Sequence, residues 1–322
     1  MSSAPRTLPR DGSVGHREMV AGDGGHGGPP LRQAVAATPI ERTPAVNSRR
    51  RQAVVVAGLR YAVLIVGAAT MVVPFLWMLA TALKAPGSVL TVPPQIIPRD
   101  PTLESFRVVF DVVPLGRMVL NSVLVTTVTV VAQILTSSLA AYAFSRMRWG
   151  GRDALFTVYL ATLMIPSQVT ITPLFILMRQ LGWIDTYQGL ILPGVVSAFG
   201  TFLLRQAMLN VPREYEDAAF LDGANHWQVY RSIVMPMIRP AVAVMAVLAT
   251  MASWNDFLWP LFVTNDADLM TLPVGLSLLQ GEHTTDWNLM MAGAVISVAP
   301  IILVFLAAQR TFINGMLQSG LK

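Results

Sequence analysis

The chain has 322 residues, of which 53% are hydrophobic and 13% are charged. Soluble globular domains carry roughly 25% charged residues, so this composition excludes an ordinary soluble domain and indicates a protein that crosses a membrane several times. The sequence contains no cysteine, which excludes disulfides and thiolate metal sites. The four histidines show no ligand spacing, so no metal site is predicted. The net charge of +5 reflects the loops beside the apolar segments rather than nucleic-acid binding.

Residues 1–52 differ from the rest of the chain, because they are rich in glycine and proline and have few apolar side chains to bury. They are predicted to form a disordered cytoplasmic extension. A signal peptide is not favoured, since the first apolar run begins late and is long enough to span a bilayer. The arginines of the extension could contact anionic lipid; a solvated tail that retains the orientation is the simpler interpretation.

Six apolar windows follow the extension. About 20 apolar residues in a helix span the roughly 30 Å hydrocarbon core of a bilayer. The windows cover, in chain order, residues 62–82, 118–144, 154–178, 186–204, 241–263 and 288–309. Residues 53–322 are therefore predicted to form an all-α polytopic membrane domain with six transmembrane helices.

The distribution of arginine and lysine predicts the orientation, because positively charged loops stay in the cytoplasm. Arginines precede the first window and recur after the second window, after the fourth and in the C-terminal tail. The loop between the fifth and sixth windows holds acidic residues and neither lysine nor arginine. Both termini, and the segment between the fourth and fifth windows, are therefore predicted to be cytoplasmic.

We refer to that segment, residues 210–240, as the polar loop, and it carries helix signals despite its charge. Its first helix opens with three acidic residues, Glu214, Glu216 and Asp217, which suit the positive end of a helix dipole. Gly223 is expected to end this helix, since glycine adopts the left-handed conformation at little cost. Asn225 is placed to cap a second helix, with Trp227 and Tyr230 on one side.

Two interpretations of the polar loop follow from its residues alone. Amphipathic segments beside membrane spans often lie on the membrane surface. However, an acidic helix is repelled by the anionic cytoplasmic leaflet, so docking to a protein partner is favoured.

Pro236 and Pro240 are expected to close the second helix.

The polar loop resembles a known motif, the EAA loop of bacterial ABC importer permeases. That motif reads Glu-Ala-Ala, three residues, Gly, nine residues, then Ile-x-Leu-Pro. Here Asp217-Ala218-Ala219 is followed after three residues by Gly223 and after nine more by Ile233-Val234-Met235-Pro236. The spacing is kept throughout, with Asp217 in place of Glu and Met235 in place of Leu.

Other stretches are similar to the sugar-importer branch of these permeases, namely residues 121–149, 254–261 and 271–276. The tail, residues 309–322, resembles that of the maltose-type second permease, often called MalG-like. Together the similar stretches cover residues 60–322, which leaves only the N-terminal extension outside.

The resemblance implies a function that the residues alone do not show. It implies a permease subunit of an ATP-driven importer in a bacterial inner membrane, forming half of the channel for a sugar. The implied partners are a cytoplasmic ABC ATPase dimer, a second, MalF-like permease and an extracellular or periplasmic solute-binding protein. ATP and magnesium would bind the ATPase, since this sequence has no GxxxxGK[ST] phosphate loop. The chain itself is therefore not expected to be an enzyme.

The resemblance also implies which residues contact the ATPase. They are Glu214, Asp217, Ala218, Ala219, Gly223, Trp227, Tyr230 and Pro236. Asp217 would pair with a basic residue, the two alanines would permit close approach, and Gly223 would provide the bend. For Trp227 and Tyr230, packing against the chain's own span ends is the alternative.

A path for the solute requires polar groups that face inward, because such groups are costly against lipid. The candidates are Asn121, Gln133, Gln168, Trp254, Asn255 and Asp256. Trp254 and Trp259 flank Asp256, and aromatic rings beside hydrogen-bonding groups suit a sugar. Alternatively, Trp254, Trp259 and Tyr187 belong to an interfacial aromatic belt. The resemblance implies that the partner permease can hold much of the sugar.

Two other classes of protein remain as alternatives. A secondary transporter driven by an ion gradient usually places ionisable residues in mid-membrane. The second, third and sixth windows have none, and Asp256 lies near the edge of the fifth. A non-transporting membrane assembly protein is the other alternative, and it predicts that loss of the protein leaves uptake unchanged.

Overall fold

The computed structural model describes residues 45–319 except 86, 88, 90–96 and 281–285. Every regular element among these residues is helical, which confirms the predicted all-α class. The helices are α1 (Ala45–Ala82), α2 (Glu104–Val112), α3 (Leu115–Arg146), α4 (Arg152–Ala161), α5 (Ser167–Gln180), α6 (Tyr187–Ile191), α7 (Ala198–Leu209), α8 (Glu214–Leu221), α9 (His226–Val229), α10 (Met235–Met237), α11 (Arg239–Trp254), α12 (Leu258–Val263), α13 (Leu272–Ser277) and α14 (Trp287–Ser319).

Three helical segments are long and apolar enough to cross a membrane unaided: Val54–Ala82, Leu115–Arg146 and Trp287–Leu306. Three further candidates are pairs of helices joined at a sharp bend. The bends are 98° between α4 and α5, 41° between α6 and α7, and 78° where the polar loop meets α11. The described residues thus offer three to six crossings, and the third and fourth predicted windows are broken rather than continuous helices.

Proline explains the break in the third window. Ile165 has extended backbone angles (φ −85°, ψ 116°), as does Pro166 after it (φ −60°, ψ 133°). The proline ring clashes with a helical residue before it, so Ile165 leaves the helix. In the fourth window, Pro193 lies in the short 3₁₀ turn Leu192–Gly194 that separates α6 from α7.

The fifth window, 241–263, is wrong as a single helix. The helix α11 ends at Trp254, and α12 begins only at Leu258. The Asn255 side-chain amide donates to the carbonyl of Met251 at 2.7 Å, which satisfies one of the free carbonyls at the helix end. Asp256 therefore lies in a break between two helices.

The N-terminal boundary also differs from the prediction. The helix α1 begins at Ala45, so residues 45–52, which were expected to be disordered, are helical. Residues 1–44 of the predicted extension lie outside the described residues.

The helix α3 is the centre of the packing and contacts α6, α7, α11 and α13. Small side chains let α7 approach it: Ser137, Ser138 and Ala141 of α3 are all buried. A Cβ on Gly200 of α7 would meet the Met245 side chain of α11 and lie 2.8 Å from the Ser137 hydroxyl, so a larger residue would require these side chains to shift. Small residues at helix contacts are the usual means of close packing in membranes.

Candidate functional site

The first half of the polar loop folds as the sequence predicts. The helix α8 starts at Glu214, and Gly223 follows its end with φ +86°. The Ala224 N–H donates to the Ala219 carbonyl at 2.9 Å, and the Gly223 N–H donates to the Phe220 carbonyl at 3.0 Å. These two bonds form a Schellman motif, which uses a left-handed residue to end a helix. The glycine signal is confirmed.

The second half of the loop confirms one predicted signal and corrects another. Asn225 caps α9 in a capping box: it accepts from the Gln228 N–H at 2.9 Å, and the Gln228 side chain accepts from the Asn225 N–H at 2.8 Å. Pro236 does not close this helix, because the chain continues through a π-helical turn, Tyr230–Val234, into α10. The break comes at Ile238 instead (φ −96°, ψ 10°).

The inner face of the loop packs against α3 and α7. Val229, Tyr230 and Val234 are buried in one apolar cluster with Leu204 and Met208 of α7. The Tyr230 hydroxyl is 2.7 Å from that of Ser138, and its ring meets Tyr142 edge-on at 5.4 Å. Tyr230 therefore packs against the end of the chain's own span, as the alternative interpretation expected.

A buried ion pair fixes α8 to the same place. The Arg146 Nε lies 2.7 Å from the Glu216 Oε1, with the two side chains only 4% and 6% exposed. The same guanidinium donates from Nη2 to the carbonyls of Met208 at 2.6 Å and Val211 at 2.8 Å. We call this arrangement the Arg146 clasp. It joins the ends of α3 and α7 to the start of α8.

Both charged side chains of the clasp are buried, so each depends on the other for stabilisation of its charge. Burial raises the pKa of Glu216, and the positive charge of Arg146 opposes that shift. Removing one partner of such a buried pair typically costs about 3–5 kcal/mol. From the sequence, Glu216 is marked only as an acid near a helix start. No local pattern marks its pairing with a residue at the far end of α3.

The outer face of the loop is exposed and mixes acids with large apolar side chains. Glu214, Asp217 and Ala218 are exposed on α8. Leu221 is 89% exposed and Trp227 is 58% exposed, while the Trp227 ring stacks on Tyr230 at 5.3 Å. Ala219 is partly buried on the inner side. Exposed apolar groups beside charges are typical of a surface that binds another protein.

A second feature is a cavity of about 340 Å³ between α3, α5, the α6–α7 break and the α11–α12 break. Its lining includes seven hydroxyl side chains: Ser122, Thr126, Thr129, Ser167, Thr170, Ser253 and Thr271. Gln133 and Asp256 add an amide and a carboxylate, and Trp259 adds an aromatic wall. We call it the hydroxyl cavity. Its volume lies at the lower end of the range for small-molecule sites, roughly 300–1,000 Å³.

The structure divides the predicted path residues into two groups. Gln133 and Asp256 line the hydroxyl cavity. Asn121 does not, since its amide donates to the carbonyls of Asp268 at 2.8 Å and Met270 at 3.0 Å. Asn255 caps α11, and Gln168 is exposed outside the lining.

The aromatic residues of this region are mostly structural. The Trp254 indole donates to the Ser297 carbonyl at 3.0 Å, and the Trp259 indole donates to the Gly189 carbonyl at 3.0 Å. Both side chains are buried, so a lipid-facing belt position does not describe them. The Tyr187 hydroxyl donates to the Asn121 Oδ1 at 2.7 Å.

The hydroxyls of the cavity are not among the predicted path residues, although the sequence contains a signal for them. Ser122, Thr126, Thr129 and Gln133 follow one another at the spacing of a single helix face. Serine and threonine are common in apolar helices, so the spacing alone does not separate a cavity wall from a helix contact. Within the residues that the structure describes, no group of three or more histidine or acidic residues could hold a metal ion.

Comparison with known proteins places this architecture in a family. The profile of the family described as "Binding-protein-dependent transport system inner membrane component" matches residues 133–318. The lactose transport system permease protein LacG of Rhizobium radiobacter is 34% identical over 261 residues, which cover 81% of this chain and 95% of LacG. The sn-glycerol-3-phosphate transport system permease protein UgpE of Brucella suis biovar 1 is 33% identical over 266 residues, 80% of this chain and 94% of UgpE.

A solved structure agrees with this assignment at the level of the fold. The crystal structure of a bacterial ABC transporter involved in the import of the acidic polysaccharide alginate contains a similar chain, with a TM-score of 0.71 and 23% identity. The match covers 80% of this chain and 96% of the other. The chain belongs to the family of binding-protein-dependent transport system inner membrane components, which confirms the resemblance found in the sequence.

Proposed function

We propose that this chain is the permease subunit of an ATP-driven ABC importer and forms half of the membrane pathway for a sugar or related carbohydrate. The observation that carries the proposal is the polar loop, whose inner face is fixed to the spans while its outer face is free. Such an arrangement suits a part that receives force from a separate protein. The family match and the lactose permease relative support the same function.

The outer face of α8 is the proposed contact with a cytoplasmic ABC ATPase dimer, which would bind ATP and magnesium. Asp217 is exposed and would pair with a basic residue of the ATPase. Ala218 presents only a methyl group, so a groove of the partner can approach the helix closely. Leu221 and Trp227 would add apolar area at the edge of the contact.

The inner face is the proposed route by which movement reaches the membrane. ATP would draw the two ATPase subunits together, and α8 would follow the subunit to which it is docked. The Arg146 clasp would carry the movement to α3 and α7, and the Tyr230–Ser138 contact would carry it at a second point. Two separate attachments resist rotation of the loop as well as translation.

The wider assembly follows from the family and from the charge pattern. We propose six crossings with both termini in the cytoplasm of a bacterial cell, a second, MalF-like permease beside this one, and an extracellular or periplasmic solute-binding protein. The loop between α12 and α13, which contains Asp266 and Asp268, would face that binding protein. The relatives are named for lactose and for glycerol 3-phosphate, so their names leave the charge of the solute open.

A charge reversal tests the docking assignment. Asp217→Arg should leave the amount of permease in the membrane unchanged, because the side chain is exposed, while the ATPase no longer co-purifies and ATP-dependent uptake is lost. Asp111→Arg is the matched control, since Asp111 is an exposed acid on α2. Normal co-purification and uptake with Asp217→Arg would contradict the docking assignment. Uptake that continues when the ATPase cannot hydrolyse ATP would instead indicate an ion-driven carrier.

A further inference from the structure

We propose that the hydroxyl cavity is the passage for the solute within this chain, and that it admits uncharged, hydroxyl-rich solutes while repelling anions. This inference rests on the proposed function and deepens it, because it assigns a site and a solute chemistry to this subunit. The three observations behind it are the hydroxyl lining, the unpaired carboxylate of Asp256 and the apolar residues in the same wall.

The lining suits a polyhydroxylated solute. Serine and threonine hydroxyls both donate and accept hydrogen bonds, as sugar hydroxyls do. They reach the cavity from separate elements: Thr129 from α3, Thr170 from α5 and Ser253 from α11. A solute in the cavity would therefore meet hydrogen-bonding groups on several sides at once. Polar side chains at such depth would otherwise be costly against lipid.

Asp256 gives the cavity a negative charge. It is the one charged residue among the described residues that line the cavity. Its Oδ1 accepts from the Trp259 N–H at 3.4 Å, and no described lysine or arginine lies within ion-pair distance of its carboxylate. An unpaired carboxylate accepts hydrogen bonds from solute hydroxyls and repels a solute carboxylate or phosphate. The repulsion is strong in a partly dehydrated cavity, where the effective dielectric constant is low.

The rest of the wall fits the same class of solute. Ile171 and Leu174 of α5 and the ring of Trp259 add apolar surface to the same lining. A sugar ring has hydroxyls at its edge and C–H groups on its faces, so it can satisfy both kinds of wall. The alternative occupant is a helix of the second permease, which would fill the cavity and exclude solute.

A thiol-labelling experiment tests the inference without knowledge of the natural sugar. The chain has no cysteine, so Ser253→Cys introduces a single thiol into it, three residues before Asp256. The complete importer, with its other cysteines replaced, is labelled with the cationic reagent MTSET and the anionic reagent MTSES. The rate of reaction with MTSET is divided by the rate with MTSES. This ratio is then divided by the same ratio for a small free thiol, so that the intrinsic reactivities of the two reagents cancel.

After this correction, MTSET should react with the Ser253→Cys thiol roughly tenfold or more faster than MTSES. The reason is that a carboxylate within a few ångströms attracts the cationic reagent and repels the anionic one. In the matched variant Ser253→Cys with Asp256→Asn, the preference should disappear while both reagents still react. Equal rates in the presence of Asp256 would overturn the inference. Failure of both reagents in an importer that still hydrolyses ATP would also overturn it, because the cavity would then be filled by another chain. The docking variant Asp217→Arg, measured separately, decides the proposed function.

Discussion

The carboxylates of Glu216 and Asp256 occupy opposite environments. Glu216 is buried, lies 2.7 Å from the Arg146 guanidinium and belongs to the attachment of the polar loop. Asp256 faces a cavity lined by hydroxyls and has no cationic partner among the described residues. A paired charge resists movement, because separating the pair leaves a charge without solvation. An unpaired charge in a cavity remains available to a solute. Under the proposed function, the first region would transmit force and the second would admit the solute.

Breaking the clasp should have the largest effect on the molecule. Arg146→Met leaves Glu216 buried without a partner and removes the bonds to the Met208 and Val211 carbonyls. We expect the free energy of unfolding to fall by about 3–5 kcal/mol, measured by denaturation of the purified subunit. Asp256→Asn should change the free energy of unfolding by far less, since no ion pair is broken.

A double variant measures how much the Arg146–Glu216 pair itself contributes to stability. Arg146→Met combined with Glu216→Met removes both charges, so part of the lost stability should return. The coupling between the two changes, obtained from a double-mutant cycle, measures the pair itself. If the two single losses simply add, the pair contributes no stability and α8 is held by apolar packing alone.

Changing the bend between α8 and α9 should have a smaller effect. Gly223 has φ +86°, so Gly223→Ala forces a side chain into the left-handed region at a cost of about 1–2 kcal/mol. A Cβ there would meet nothing within 4 Å, so the effect is one of backbone conformation and not of crowding. Gly223→Asn should cost less than the alanine variant, because asparagine tolerates this conformation better. Equal losses for alanine and asparagine would contradict the conformational explanation.

The cap of α9 should contribute least. Asn225→Ala removes the bond to the Gln228 N–H, at a cost of about 1 kcal/mol. Asn225→Ser retains a capping oxygen and is the matched control. Thermal denaturation of the two variants should place serine between asparagine and alanine.

The regions also differ in how far the sequence predicts them. The helix end at Gly223 and the cap at Asn225 are local, because each depends on residues within a few positions, and both predictions are confirmed. The pairing of Arg146 with Glu216 depends on how α3 and α8 pack, which no local pattern records. Asn121 and Trp254 were predicted to line the path because they are polar in an apolar setting. Both instead satisfy backbone carbonyls, which polar side chains in membrane helices often do.

The breaks inside the apolar windows are also not visible in the hydropathy pattern. Hydropathy finds apolar windows but does not register where a helix breaks inside one. Pro166 breaks the third window, and the fifth stops at Trp254. Ser167 and Asp256 lie at these breaks, and both line the hydroxyl cavity.

Site-specific crosslinking tests the central claim, the docking of α8, most directly. Because the chain has no cysteine, Ala218→Cys provides one thiol on the outer face of α8, and Ala267→Cys provides one in the exposed loop before α13. In membranes that contain the whole importer, a short bifunctional reagent should join Ala218→Cys to the ATPase and leave Ala267→Cys unjoined to it. Crosslinks from Ala218→Cys only to lipid or to this chain would contradict the account.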